Sequence, residues 1–334
     1  MSNNRAAKEI NQDFPKRRKD ADSRAPDAND AGLAEQRFEN IGDFLPEHTF
    51  ECGQCFRWRR ENDGSYSGVV SGAFANLSYT PYADKKDRGI ITIRSGLFAD
   101  NPVRREKYWR NYLDLDRDYA AAKRMLAAND KVMARAIEAG RGIRILNQEK
   151  WETLISFIIS QNNNIPRITG CIENLCRQFG ARAGRFGGRE YRAFPSVSSL
   201  ANRGAEDLAA SRLGYRARYI VDTAATVSLD GGAKLESGEN LPIAEIEQYL
   251  LSLPGVGPKV AGCILLFAMK KTEAFPVDVW VKRVMNRFYG MDENNLPAIK
   301  GYAARNFGDC GGLAQQYLFN YIRVLDTNIR STSN

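Results

Sequence analysis

The stretch that most restricts how this chain can fold is Leu253–Lys259, LPGVGPK, which lies between two segments of helical apolar spacing. A Pro-Gly-Val-Gly turn in that place predicts a helical hairpin, because glycine reaches the positive-φ backbone that a tight turn needs. Gly255 and Gly257 also carry no side chain, so main-chain N–H groups there can come close to an anion. The N-terminus of the second helix adds partial positive charge at the same point.

The formal charge of +8 favours an anionic partner, and with the hairpin the expected anion is a DNA phosphate. At 334 residues with 43% hydrophobic content, the chain is long enough for two cores. No apolar run reaches the roughly 18 residues of a membrane span, and the N-terminus has no hydrophobic signal core. A protein without a membrane partner is expected, cytoplasmic and nucleoid-associated in a bacterium or nuclear in a eukaryote. Six cysteines without a disulfide-type pattern read as free thiols. Cys52 and Cys55 have metal-type spacing, but a second such pair is missing and His48 is the only histidine, so neither a zinc site nor an iron–sulfur cluster is expected. One histidine also argues against Ser-His, Cys-His and His-metal catalysis, leaving lysine, carboxylate and backbone to carry any chemistry.

Residues 1–33 are polar and read as a disordered tail, in which Lys16–Lys19 is a nuclear address, a nonspecific DNA patch or a solvated charge cluster. From 34 to 125 an antiparallel sheet domain with flanking helices is expected, with strands at Phe56–Trp58, Tyr66–Val70, Asn76–Tyr79 and Gly89–Ile93. From 126 to 334 the spacing predicts an all-helical domain, so the fold class is α+β. Trp151, Leu154, Ile155, Ile158 and Ile159 form a buried stripe that stops at Gln161-Asn-Asn-Asn164, and Pro166 suits the first turn of the next helix. That helix ends at Gly180.

Lys259 opens the second hairpin helix, where the dipole disfavours an ammonium, so it reads either as a nucleophilic amine or as a phosphate ligand. Asp278 precedes the helical stripe Val281, Val284, Met285 and Phe288 and reads as an N-cap, which could also point into a cleft and stabilise a developing sugar cation. Lys259 with Cys263, and Gln315 with Phe319, are i,i+4 pairs, each projecting from one helix face.

LPGVGPK followed by PVDV resembles the helix-hairpin-helix, Gly/Pro-Asp superfamily of base-excision DNA glycosylases. GQCFRW (Gly53–Trp58), QNNNIPRITG (Gln161–Gly170), LGYRARY (Leu213–Tyr219) and AQQYLF (Ala314–Phe319) narrow the likeness to 8-oxoguanine DNA glycosylase/lyase. The resemblance implies that Lys259 attacks the sugar C1′ to form a Schiff base while Asp278 assists departure of the base. It implies that the Gly53 carbonyl accepts the N7 hydrogen of 8-oxoguanine, that Gln315 reads its Watson–Crick edge, and that Phe319 and Cys263 sandwich the flipped ring. Asn162 would fill the gap, Tyr215 would act as wedge, Arg167 and Arg216 would contact the opposite cytosine, and Gly255 and Gly257 would hold phosphate.

Damaged double-stranded DNA is then the partner of a monomer that needs no cofactor or catalytic metal, with a structural cation at the hairpin carbonyls implied by the resemblance alone. Trp280 stands where many members have a phosphate-binding histidine, Gly262 replaces a polar side chain, and Pro166 precedes Arg167, so looser opposite-base stringency is expected. A sibling glycosylase for alkylated purines, which needs no hairpin lysine, and a noncatalytic DNA-binding module are the competing readings.

Overall fold

The computed structural model describes residues 32–85 and 87–332, with side chains to 326, so the polar tail and Lys16–Lys19 fall almost wholly outside the described residues. The chain begins with β1 (Ala34–Gly42), α1 (Pro46–Phe50), β2 (Arg59–Arg60), β3 (Tyr66–Val70), β4 (Ala73–Pro81) and β5 (Arg88–Ser95). The strands pair antiparallel in the order β1-β5-β4-β3-β2. In β5 the side chains alternate, so Ile91 and Ile93 are fully buried while their neighbours face outward. Their face of the sheet is covered by Trp109 and Tyr112 of α2 (Pro102–Tyr112), which complete a first core with Phe38, Tyr66 and Leu77.

The expected strand at Phe56–Trp58 is not one. That segment bends instead, because its aromatic side chains serve two cores at once. Phe56 enters the helical core edge-on to Phe157, with ring centroids 5.6 Å apart. Trp58 stacks on Phe50 at 4.6 Å in the sheet core and donates its indole N–H to the Tyr112 hydroxyl at 2.8 Å.

Beyond α2 come α3 (Tyr119–Ala127), α4 (Lys131–Ala139), α5 (Lys150–Ser160), α6 (Ile165–Phe179), the two-stranded ribbon β6 (Arg182–Phe186) and β7 (Arg189–Arg192), and α7 (Val197–Ala201). The chain closes with α8 (Arg216–Ser228), α9 (Ala233–Ser237), α10 (Ile243–Ser252), α11 (Pro258–Ala268), α12 (Val279–Tyr289), α13 (Leu296–Phe307) and α14 (Gly311–Thr332). The ribbon departs from the all-helical expectation. Gly187 and Gly188, both at positive φ, make its turn, and Phe186 and Tyr191 lie against Phe74 of the sheet at 5.0 and 4.7 Å. No helix among the described residues is long and apolar enough to cross a membrane.

α5 is the central helix of the second core. Leu154, Ile155, Ile158 and Ile159 have no exposed surface, and burial of each such side chain contributes about 1.5–3 kcal/mol. Gly180 does end α6, but not through a left-handed backbone: a Cβ there would lie 2.0 Å from the Ala193 carbonyl oxygen, so close approach of the ribbon excludes any side chain. The two parts are locked by Arg57, whose buried guanidinium meets Glu152 of α5 at 3.5 Å and Glu173 of α6 at 3.3 Å, and also donates to the Arg192 carbonyl.

Candidate active site

The hairpin forms as expected, with α10 and α11 joined through Leu253–Gly257. Gly255 sits at φ +75°, and a Cβ there would meet the Tyr219 side chain at 2.7 Å, so both backbone and space require glycine. Gly257 caps α11 in extended conformation with open space around its Cα, and Pro258 occupies the first turn. Two neighbouring carbonyls are taken: Pro254 accepts from Thr223 Oγ1 at 2.7 Å and Gly255 from Gln161 Nε2 at 2.8 Å.

Lys259 is half-buried, with its Nζ 4.9 Å from the centre of the Phe157 ring. One helical turn on, the buried Cys263 thiol hydrogen-bonds to Lys259; burial pushes that thiol up from its ordinary range and the lysine charge partly opposes this. Asp278 caps α12 as expected, its Oδ1 accepting from the N–H groups of Trp280 at 3.0 Å and Val281 at 2.9 Å. Burial raises the Asp278 carboxyl above its ordinary value, and the two N–H donors, Lys259 and Arg323 pull in the other direction. Lys259, Cys263 and Asp278 thus form one electrostatic group, in which an amine and a buried carboxylate face each other.

Gly53 takes φ +85° in the loop after α1, and a Cβ there would lie 3.5 Å from the Phe319 ring and 3.7 Å from Ile165. The loop is held by Gln54, a buried amide whose Nε2 donates to the carbonyls of Thr49 at 2.9 Å and Arg144 at 2.7 Å, while its Oε1 accepts from Leu146 N–H at 2.9 Å. Gln315 is buried on α14, its Oε1 accepting from Gln316 at 2.9 Å, and Phe319 follows one turn later. Gly53 and Phe319, 266 residues apart in the chain, are therefore neighbours in the fold, as the resemblance requires.

At the α5–α6 junction Asn162 is exposed and left-handed, with φ 46°. Asn164 caps α6 by accepting from the Arg167 N–H at 3.1 Å, leaving the Arg167 side chain exposed. Tyr215 is 56% exposed, edge-on to Tyr219, with Arg216 4.5 Å from its ring. Arg216 itself is buried. Its guanidinium donates to the carbonyls of Gln161 at 2.9 Å, Asn162 at 3.0 Å and Leu213 at 3.2 Å, so it clamps the asparagine turn. For Arg216 to reach a base, those bonds must be exchanged. The largest groove, about 790 Å³, is lined by Trp58, Arg59, Arg177, Arg189 and Arg192 and includes none of the expected site residues.

Three residues escaped the reading of the sequence. Phe157 packs under the lysine, Gln161 ties the asparagine turn to the hairpin, and Arg323 lies 5.1 Å from the centre of the Phe319 ring with its charge reaching Asp278 and Cys52. Only Arg323 carried a usable signal, continuing the Gln315, Phe319 spacing by one more turn. All six cysteines are free and buried, and burial pushes Cys52 up to about 11.

The arrangement of hairpin lysine, capping aspartate and sheet-borne glycine coincides with what comparison with known proteins finds. Residues 38–154 match the family model for the N-terminal domain of 8-oxoguanine DNA glycosylase, and residues 155–301 match the HhH-GPD superfamily of base-excision DNA repair proteins. A probable N-glycosylase/DNA lyase of Methanothermobacter thermautotrophicus is 31% identical over 310 residues, spanning 85% of this chain and 95% of that protein. The 8-oxoguanine glycosylase/lyase of Clostridium acetobutylicum, solved with duplex DNA containing cytosine opposite 8-oxoguanine, is 35% identical with a TM-score of 0.78 over 88% of this chain and 98% of that one. A DNA complex of MBOgg1 is 40% identical with a TM-score of 0.80, covering 88% and 96%. With both domains and the full span of these relatives matched, the chain belongs to the 8-oxoguanine DNA glycosylase family of the HhH-GPD superfamily, enzymes with DNA N-glycosylase and DNA lyase activity.

Proposed function

We propose that this enzyme flips 8-oxoguanine out of duplex DNA where it lies opposite cytosine, excises it through a Schiff base on Lys259, and then nicks the strand by β-elimination. The observation that carries this reading is the pairing of Lys259, at the start of the hairpin helix, with the buried carboxylate of Asp278. The hairpin N–H groups at Gly255 and Gly257 hold a phosphate beside the lesion. The Nζ lone pair attacks C1′ as the glycosidic bond breaks. Its electrons leave with the base, which takes up a proton, and the negative charge of Asp278 stabilises the cationic sugar. Opening of the sugar ring gives the protonated Schiff base. Loss of a C2′ proton then expels the 3′ phosphate, and hydrolysis frees Lys259.

In the same reading the Gly53 carbonyl accepts the N7 hydrogen that guanine lacks, Gln315 meets the Watson–Crick edge, and Phe319 and Cys263 bracket the ring. Extrusion costs a few kcal/mol, which Asn162 offsets by filling the gap, with Tyr215 as wedge and Arg167 and Arg216 on the orphaned cytosine. The enzyme acts as a monomer and without a cofactor, in the cytoplasm of a bacterium or the nucleus of a eukaryote. Among the described residues no cluster of histidine, cysteine and carboxylates could hold a metal. A structural cation at the hairpin would find only main-chain carbonyls, of which those of Pro254 and Gly255 already accept hydrogen bonds, and no step is routed through it. The test is borohydride trapping on a duplex with 8-oxoguanine opposite cytosine. The parent protein is covalently captured, whereas Lys259→Gln binds without capture; capture by the variant would remove Lys259 as nucleophile.

A further inference from the structure

Asp278 is compensated from two sides. Lys259 approaches it from α11 and Arg323 from α14, and the third titratable neighbour, the Cys263 thiol, is buried beside the lysine. The remaining partners of the carboxylate are the Trp280 and Val281 N–H groups of its own helix. α14 presents Gln315, Phe319 and Arg323 at successive turns, so Arg323 continues the wall that begins with the two pocket residues. Its guanidinium carbon lies 5.1 Å from the centre of the Phe319 ring, within cation–π range. Cys52, next to Gly53, also feels the Arg323 charge, which places the guanidinium between the Gly53 loop and the start of α12.

The two cations differ in what the reaction does to them. Under the mechanism proposed above, Lys259 must be an uncharged amine to attack C1′, so at that moment it no longer compensates Asp278. A guanidinium does not give up its proton under any condition the enzyme meets. We infer that Arg323 is a positioning residue of the excision step, the permanent cation that stabilises the Asp278 carboxylate once Lys259 is neutral and that holds the Phe319 wall of the base pocket. No bond is made or broken at Arg323. It acts through Asp278 and Phe319, and this role rests on the Schiff-base reading.

The experiment is the pH profile of single-turnover base release from a duplex carrying one 8-oxoguanine opposite cytosine, for the parent, Arg323→Leu, Arg323→Gln and Arg323→Lys. In the two neutral variants the acid limb moves up by about one pH unit, which lowers base release roughly tenfold on that limb. Arg323→Lys restores the limb toward its parental position, and affinity for the lesion duplex does not fall in step with the rate. In an Asp278→Asn background, Arg323→Leu adds no further loss. An unmoved acid limb, equal losses in the lysine and leucine variants, or a further loss on top of Asp278→Asn would overturn the inference. So would failure of both neutral variants to fold, since the guanidinium would then be a structural group. Capture by Lys259→Gln, measured alongside, overturns the nucleophile itself and is a separate outcome from any of these.

Discussion

The side-chain amide of Gln161 donates to the carbonyl of Gly255 at 2.8 Å, joining the asparagine turn between α5 and α6 to the hairpin between α10 and α11. Two loops distant in sequence are thereby held in one register. Gln161→Ala should cost about 1 kcal/mol of stability in urea denaturation, the usual worth of such a bond. It should also weaken binding to lesion duplex more than that loss of stability explains, because both phosphate and gap contacts depend on the register. Equal affinity for parent and variant would separate the two loops functionally.

Gly255→Ala places a methyl group against Tyr219 in a left-handed backbone. The strain should destabilise the protein by about 1–3 kcal/mol, read as a lowered urea midpoint at unchanged slope. DNA affinity should fall with it, and the loss should shrink at high salt, where phosphate contacts contribute less.

Asp278→Asn keeps the N-cap, since asparagine caps as well as aspartate, and it removes a buried charge. Stability at pH 7 should therefore hold or rise while base release falls by about a hundredfold or more. The sign of the pH effect follows from burial. The folded carboxyl binds its proton more tightly than the unfolded chain does, so Asp278 weakens the fold above that raised value, and acid relieves the cost. Activity runs the opposite way: the ionised form is needed, so the acid limb of base release should lie above the ordinary aspartate value of 3.8. A limb at or below that value would mean that another group carries it.

Arg57→Ala strands two carboxylates, Glu152 and Glu173, of which Glu152 is already raised by burial. Breaking a buried pair in this way should cost about 3–5 kcal/mol, seen as a drop in thermal midpoint. The replacement Arg57→Lys should recover only part of it, because an ammonium cannot reach both carboxylates and the Arg192 carbonyl with a planar fork.

How far the sequence could be read depends on the range of each signal. Lys259, Cys263, Gln315 and Phe319 were legible because helical period alone sets which side chains share a face, and the hairpin glycines because a positive φ has few alternatives. The Asp278 cap was legible for the same local reason. Phe56–Trp58 misled: aromatic richness marks burial as readily as strand, and here it marks a bend between two cores. β1 went unread because only Phe38 of its nine residues is buried, which leaves little alternation to see. The ribbon was missed because its arginines suggest a solvated loop, although Gly187-Gly188 supplied the turn signal. Arg323 and Gln161 act across helices that meet only in the folded chain, so their roles had no local trace.

The opposed directions of Phe56 and Trp58 have a thermodynamic consequence. One ring is embedded in the helical half and the other, two positions later, in the sheet, so melting either half uncovers an aromatic surface of its neighbour. Calorimetry should record a single endotherm rather than two, and a shortened chain that starts after α2 should not hold its shape alone. The carbonyl of Gly53 is thus supplied by one half of the molecule to a pocket built by the other, with the integrity of both as its condition.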